Sequence, residues 1–430
     1  MMLDTIKTKL AALDCDGGEL TEETVRGWEF YFIRHALDQN RAVETRTYTV
    51  KLYRALEDGK LLGSATGTIS PTASDADVDK ALRDILFQAG LVKNPYYTLG
   101  DKPVDLPDRT EKVDVEGIAE DFLKALATVR ETPEADLNSY EIFVNEITRR
   151  FENSKGVRYA CTYPKSAVEV VVNARRDGHE IELYRMYNSG SCDAEKLRAD
   201  IEQVLGFGRD RLSAVPTPKL QTSDVVFSTA DARQIYRFFT ARTNAGAKVR
   251  GISDWEIGKS VCEYTTGDRL SLEALSHLAN SSKDYPVDAE GAVIRDRFLI
   301  RDGVVEGFWG DRQFRCYLGL EEGSDVSNLR FGGGSASAQE LRAGDFLEVV
   351  EYSSFDVDVF DGAIAGEIRL GYWHHGGEVT VVTGGSVTGS LLEAMPTMRF
   401  SAEQTQYDST VLPAVTRLKD LRITGVAECE

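Results

Sequence analysis

Five histidines are available for acid–base or metal chemistry: His35, His179, His277, His374 and His375. A hydrolytic zinc site needs two imidazoles and a carboxylate base, usually set on one helix. No histidine here opens such a motif. His179 precedes Glu180, but it follows Gly178 in a turn with no second histidine nearby. It reads as a solvated turn residue. His374 and His375 are adjacent, and neighbours in a strand face opposite ways. The Gly376-Gly377 pair that follows reads as a hairpin turn.

Other reactive patterns are also missing. Gly332-Gly333-Gly334 and Gly384-Gly385 lack the spacing of a dinucleotide fingerprint, and no P-loop occurs. These glycines read as turn residues or points of close backbone approach. Ser335, Ser337 and Ser386 sit in no nucleophile elbow. Acid pairs such as Asp288 and Glu290 are uninformative in so acidic a chain, where most are solvated surface. The six cysteines, Cys15, Cys161, Cys192, Cys262, Cys316 and Cys429, form no CxxC pair. They predict reduced thiols and no zinc cage.

The charge balance excludes further classes. Across 430 residues, 50 Lys and Arg face 70 Asp and Glu, a net charge of −20. Gripping nucleic acid or an anionic membrane requires the opposite sign. No apolar run approaches the ~20 residues of a membrane span. The opening Met1–Lys7 stretch reads as a soluble helix without a signal peptide's apolar centre. A cytoplasmic protein is expected.

The elements that would position any site read as an α+β fold. Tyr48, Val50 and Leu52 alternate with polar residues as a strand, paired with Leu61–Ile69 through Asp58-Gly59. Ser74 and Asp77 predict a capping box for a helix carrying Val78, Leu82, Ile85 and Leu86, stopped at Gly90. A polar stretch around Pro103 and Pro107 predicts a boundary. A second unit follows, with a helix at Ile118–Val129 ended before Pro133. Its strands are expected at Tyr140–Phe151, Val157–Tyr163, Val168–Asn173 and Ile181–Tyr187, and a helix over Leu197–Leu205 closes at Gly206. Pro216 and Pro218 predict the next boundary. Beyond it lie Val225–Phe227, one helix, and strands at Val293–Ile300, Val304–Trp309, Gln313–Leu318, Phe346–Tyr352, Gly366–Tyr372 and Glu378–Val382. Many short strands between glycine turns imply a large antiparallel, barrel-like domain. The expected organisation is an N-terminal α+β domain over 1–105, a middle α+β domain over 106–216 and a β-rich domain over 217–430.

Several segments in this order carry a family resemblance. Gly366-Glu367-Ile368-Arg369-Leu370-Gly371-Tyr372, followed by Val382-Thr383-Gly384-Gly385-Ser386-Val387-Thr388-Gly389, resembles the signature of the TldD/PmbA family. Pro286-Val287-Asp288-Ala289-Glu290-Gly291 resembles its Phe-Asp-x-Glu-Gly segment, and Phe298–Val305 its strand–turn–strand. The strand pair over 45–69, the helix over 74–89 and Asn94-Pro95-Tyr96 resemble its first domain in order and spacing. In that family, TldD-type chains carry His-Glu-x-x-x-His on the helix after a Val-Val-Phe-like strand, with a late cysteine completing the zinc site. Here that helix is expected over 231–244, with Ser228 and Asp231 as a capping box. It reads Ile235-Tyr236-Arg237-Phe238-Phe239-Thr240-Ala241-Arg242, without His, Glu or Cys. Cys429 lies past the last strand-like segment and takes no ligand role.

The resemblance therefore implies a PmbA/TldE-type chain, a metal-free partner in a cytoplasmic zinc metallopeptidase that cuts small or unfolded peptides. It implies no catalytic or metal residue and no cofactor in this chain; zinc is expected only in a TldD-like partner. Asp288, Glu290, Gly291, Arg369, Gly371, Gly384 and Gly385 become substrate-binding or structural positions. The family's older name, modulator of DNA gyrase, sits beside a charge that argues against direct DNA contact. The partners implied are a TldD-like subunit and an extended peptide. The alternative is a self-sufficient homodimeric peptide-binding or chaperone-like module. A third reading is a hydrolase using His374 or His375 with a carboxylate.

Overall fold

The computed structural model describes residues 2–100, 108–320 and 322–426. Pro103, Pro107, the expected boundary at 105/106 and Cys429 lie outside them. The first half contains α1 (Met2–Ala11), β1 (Gly17–Ile33), β2 (Ala36–Leu56), β3 (Leu61–Ile69), α2 (Asp75–Ala89), β4 (Asn94–Pro95), α3 (Val115–Ala127), β5 (Ala135–Asn153), β6 (Arg158–Arg176), β7 (His179–Ser189) and α4 (Ala194–Leu212). Its strands form one antiparallel sheet in the order β4-β3-β2-β1-β5-β6-β7. Strand β1 pairs with β2 along one edge and with β5 along the other. The sheet thus runs continuously across the two units read from the sequence.

Helices cover one stretch of sheet each. Ile6 of α1 and Val78, Leu82 and Ile85 of α2 pack on Tyr48, Val50 and Leu52. The Ser74–Asp77 capping box forms, and Gly90 caps the other end of α2. Phe122 and Leu126 of α3 and Ile201 and Leu205 of α4 pack on Ile142, Val144, Val168 and Val170. Helix α4 does not stop at Gly206. It runs on to Leu212 because burial of Phe207 and a close approach at Gly208 hold the extra turns. A Cβ at Gly208 would lie 2.9 Å from the Ala174 Cβ, so only glycine lets the helix sit this near β6.

The second half contains β8 (Val215–Pro216), β9 (Leu220–Phe227), α5 (Arg233–Arg242), α6 (Ala245–Val249), β10 (Ser271–Leu275), β11 (Arg297–Arg301), β12 (Val304–Val305), α7 (Arg312–Tyr317), β13 (Asn328–Gly332), β14 (Phe346–Val357), β15 (Ala363–His375), β16 (Glu378–Thr383), β17 (Ser386–Ser390), α8 (Leu391–Ala394), β18 (Arg399–Phe400), β19 (Gln404–Tyr407), β20 (Thr410–Pro413) and β21 (Thr416–Thr424). One sheet has the order β12-β11-β10-β13-β20-β19. The other runs β14-β9-β21-β17-β15-β16-β8, and β14 also pairs with β15. That extra pairing closes β14, β9, β21, β17 and β15 into a five-stranded barrel. The α+β class with a barrel-like second half therefore stands.

Three expected strands are corrected. The run expected over 293–300 becomes a strand only from Arg297, as part of β11. The strand expected over 313–318 is instead helix α7 (Arg312–Tyr317), with Asp311 before its first turn and Leu318 after its last. The run over 304–309 is a strand only at Val304–Val305, because the chain turns to hydrogen-bond Thr243 through the Trp309 amide. Among the described residues no helix is long and apolar enough to cross a membrane.

Candidate functional site

Helix α5 occupies the place where a metal-binding motif would sit. Ile235, Tyr236, Phe238 and Phe239 face the core between the two sheets. The spacing alone dictates this stripe. Tyr236 spans the core to reach the Thr416 hydroxyl at 2.6 Å. Arg242 is only 6% exposed and lies over the Phe238 and Trp255 rings. It donates to the Ile252 carbonyl and lies 3.5 Å from Asp254. The buried face is thus filled by aromatic rings and a guanidinium, which repels a dication. The described residues hold no group of three or more His, Cys, Asp or Glu able to ligate a metal. The donor set at this helix does not fit a zinc ion.

Just before α5 the chain opens onto a cleft of about 240 Å³ between α4 and the barrel. Gln203 and Phe207 of α4 line one side; Ser228, Arg342, Glu348, Val350 and Tyr372 line the other. Ser228 was expected to cap α5 but does not: no side chain caps this end, and its hydroxyl donates to Glu348 Oε1 at 2.5 Å. Arg342 donates to both Glu348 oxygens, at 2.9 and 2.7 Å. This forked pair holds the guanidinium above its usual range. Tyr372 donates to Asp210 at 2.6 Å, tying β15 to the last turns of α4. Burial first, and Asp210 second, push its phenol well up.

Deeper along the same joint, Arg185 of β7 pairs with buried Glu351 of β14. Burial drives the Glu351 carboxyl up to about 7, against the pull of Arg185. Burial likewise raises Asp231. The Tyr187 and Tyr352 hydroxyls are buried without a hydrogen-bond partner in the structure. Sequence reasoning missed Arg342, Glu348, Arg185 and Glu351. The signal was present: two glutamates interrupt the apolar Phe346–Val350 run and its continuation, and a glutamate in a buried strand demands a cation. The joint can hold and orient polar groups. It lacks a free base beside its hydroxyl, because Glu348 is already engaged by Arg342.

That engagement is testable. Replacing Arg342 by methionine strands a carboxylate that is 7% exposed. A loss of about 2 kcal/mol is expected, read as a lower denaturation midpoint, with Glu348→Gln in the same background restoring part of it.

The motif positions fall into two places. Asp288 is buried and organises the 286–292 turn, its Oδ1 accepting from the Glu290 and Ala292 amides at 2.9 Å each. Its Oδ2 accepts from the Asp325 amide at 3.0 Å. Glu290 reaches Lys51 on β2 at 3.1 Å and accepts from the Arg312 amide at 2.7 Å. Gly291, at φ +81°, lies where a Cβ would press on Phe151 at 2.6 Å. These three join the barrel half to the first sheet. Arg369 sits on β15 and pairs with Glu367 at 3.1 Å. Gly371 is packed between Leu347 and Val382. Gly384 and Gly385 make the β16–β17 turn with φ +79° and +82° and exchange backbone hydrogen bonds with Ile368. This second group belongs to the barrel sheet, whereas the first faces β2 and β5.

His374 and His375 end β15, and Gly376-Gly377 make a two-residue turn to Glu378, both at positive φ. The His374 ring stacks on Phe346 at 4.1 Å, and burial lowers its basicity. His375 pairs with Asp345 at 2.7 Å and stacks on Trp373. The two imidazoles are held by different partners.

Comparisons with known proteins agree with this architecture. Residues 220–425 match the family model described as the PmbA/TldA metallopeptidase C-terminal domain. The metalloprotease PmbA homolog of Haemophilus influenzae is 22% identical over 420 residues, covering 89% of this chain and 90% of that protein. The structure of TldE from Thermococcus kodakarensis superposes with a TM-score of 0.77 at 15% identity, covering 99% of this chain and 100% of that one. A Thermotoga maritima protein described as a candidate modulator of a DNA gyrase superposes with a TM-score of 0.78 at 14% identity, with the same coverage. The barrel, the ordered motif segments and these matches together place the chain in the TldD/PmbA family.

Proposed function

We propose that this chain is a non-catalytic, TldE-like subunit that shapes a peptide-binding chamber within a TldD-type zinc metallopeptidase complex. One observation carries the reading: the helix that would hold the metal presents Ile235, Tyr236, Phe238, Phe239 and Arg242 to the core instead of ligands. The α4–barrel cleft supports it, since its polar groups are fixed in place and suit main-chain recognition better than bond cleavage. The first sheet ends at β7, a strand edge of the kind that pairs with extended peptides. A cytoplasmic location and a dimeric assembly belong to the same proposal.

The test is purification of the chain with and without a companion of the same fold carrying His-Glu-x-x-x-His. The lone chain is expected to bind no stoichiometric zinc and to cleave no unfolded peptide, while the pair does both. Chelator-sensitive cleavage by the lone chain would refute the proposal. A lone homodimer that binds peptide without a companion favours the self-sufficient module instead.

A further inference from the structure

The Lys51 ammonium lies between two carboxylates drawn from opposite halves of the molecule. Glu19 stands directly across from Lys51 in the β1–β2 register. Its Oε1 accepts from the Tyr53 hydroxyl at 2.7 Å. Glu290, from the barrel half, takes Lys51 at 3.1 Å with one oxygen and the first amide of α7 with the other. The same docking surface includes the Tyr317 hydroxyl donating to the Pro95 carbonyl at 2.6 Å, and Tyr97 edge-on to both Tyr53 and Tyr317. One cation therefore serves two acids in a half-buried joint, with the Lys51 and Glu290 side chains 26% and 17% exposed, an arrangement that favours a proton on one of the acids.

We propose that Glu19, Lys51 and Glu290 form a proton-controlled latch between the first sheet and α7, shut when Glu19 carries a proton and loosened when it does not. The surroundings bear on this from every side. From β2 come Lys51 and Tyr53, from the 286–292 turn Asp288 and Glu290, from the 94–100 segment Tyr97, and from the start of α7 Asp311 and Arg312. From α1 and β5 come Lys7 and Glu152, paired with each other at 2.7 Å, and Cys15 follows α1. Lys7 is thus already engaged, which leaves Lys51 as the cation for Glu19. Burial raises the Glu19 carboxyl to about 7, outweighing Lys51 and Tyr53, with Glu290 and Asp288 adding to the rise. Burial raises Asp288 and Asp311 as well, so they act in the same direction.

The sign follows from linkage. Glu19 holds its proton more tightly in the shut joint than in an opened, hydrated one, where its ordinary value is 4.5. Stability of the joint is full at acid pH, falls as pH rises above that value, and levels off beyond about 7. Opening is expected to increase about tenfold between about pH 6 and about pH 8.5.

The experiment is hydrogen exchange on the full chain at those two pH values, corrected for intrinsic rates, following the 286–318 region with α2 as reference. Wild type is expected to lose about tenfold protection in that region and none in α2, while Glu19→Gln changes by less than about twofold. Equal pH dependence in wild type and Glu19→Gln overturns the proposal, as does unchanged protection in wild type. If Glu19→Gln fails to fold, a carboxyl-carbon NMR titration of wild-type Glu19 decides: a midpoint near 7 supports the latch, and one below about 5.5 overturns it.

Discussion

Replacing Asp288 by alanine is expected to cost about 2–4 kcal/mol of stability, because three backbone amides would lose their acceptor in a site with little access to water. The donors are those of Glu290, Ala292 and Asp325. The damage spreads because the same turn aims Glu290 at Lys51 and sets Gly291 against Phe151. Asp288→Asn keeps one oxygen and is expected to cost about half as much. Denaturant midpoints for the three proteins provide the measurement. The pH dependence has a definite sign. Burial raises this carboxyl above its ordinary 3.8, so its ionised form weakens the native state as pH rises. The gap between wild type and Asp288→Ala should narrow on moving from about pH 4 to neutrality. A loss under about 1 kcal/mol for Asp288→Ala would mean that water replaces the carboxylate, and that the turn is not what fixes the joint.

A second large effect is expected at the β16–β17 turn. Gly385 has φ +82°, and a Cβ there would lie 2.2 Å from the Thr424 carbonyl oxygen. Backbone, unlike a side-chain tip, cannot step aside cheaply. Gly385→Ala is therefore expected to cost about 3–4 kcal/mol, combining left-handed strain with a forced shift of β21. Gly376, in the preceding β15–β16 hairpin, shares a positive φ of +60° but has no atom within 4 Å of where a Cβ would lie. Gly376→Ala should cost only about 1 kcal/mol. Thermal melts of the two variants, measured side by side, separate crowding from backbone strain. Equal losses would show that strain alone explains both.

The sequence is legible where a short-range rule decides and opaque where a distant partner does. The α2 cap at Ser74 and the His374–Glu378 hairpin follow from residues a few positions apart. Strand β1 is hard to read because Gly17–Ile33 is dense in glutamate; Glu22 is buried with Arg150 from β5 at 2.8 Å and Arg46 from β2 at 3.7 Å as its cations. Residues 313–318 alternate weakly and fit either period, and the Arg312 amide that fixes the helix end is bound by Glu290. The motif segment around Asp288 was visible as a family feature. Its role as a joint was not, since Lys51 lies 239 residues from Glu290. Likewise the α4–barrel cleft depends on Glu348 meeting Arg342 and Ser228, which no periodicity announces.

The barrel's ring of pairings has a consequence for synthesis. Strand β21 lies between β9 and β17, so β9, made near residue 220, waits for a partner made after residue 416. Until those residues leave the ribosome, the ring stands open with an apolar edge exposed, a template for wrong pairing. At ~5–20 residues per second the wait lasts roughly ten to forty seconds. Slowing translation between β9 and β21 should therefore lower the yield of folded protein more than slowing it before residue 220.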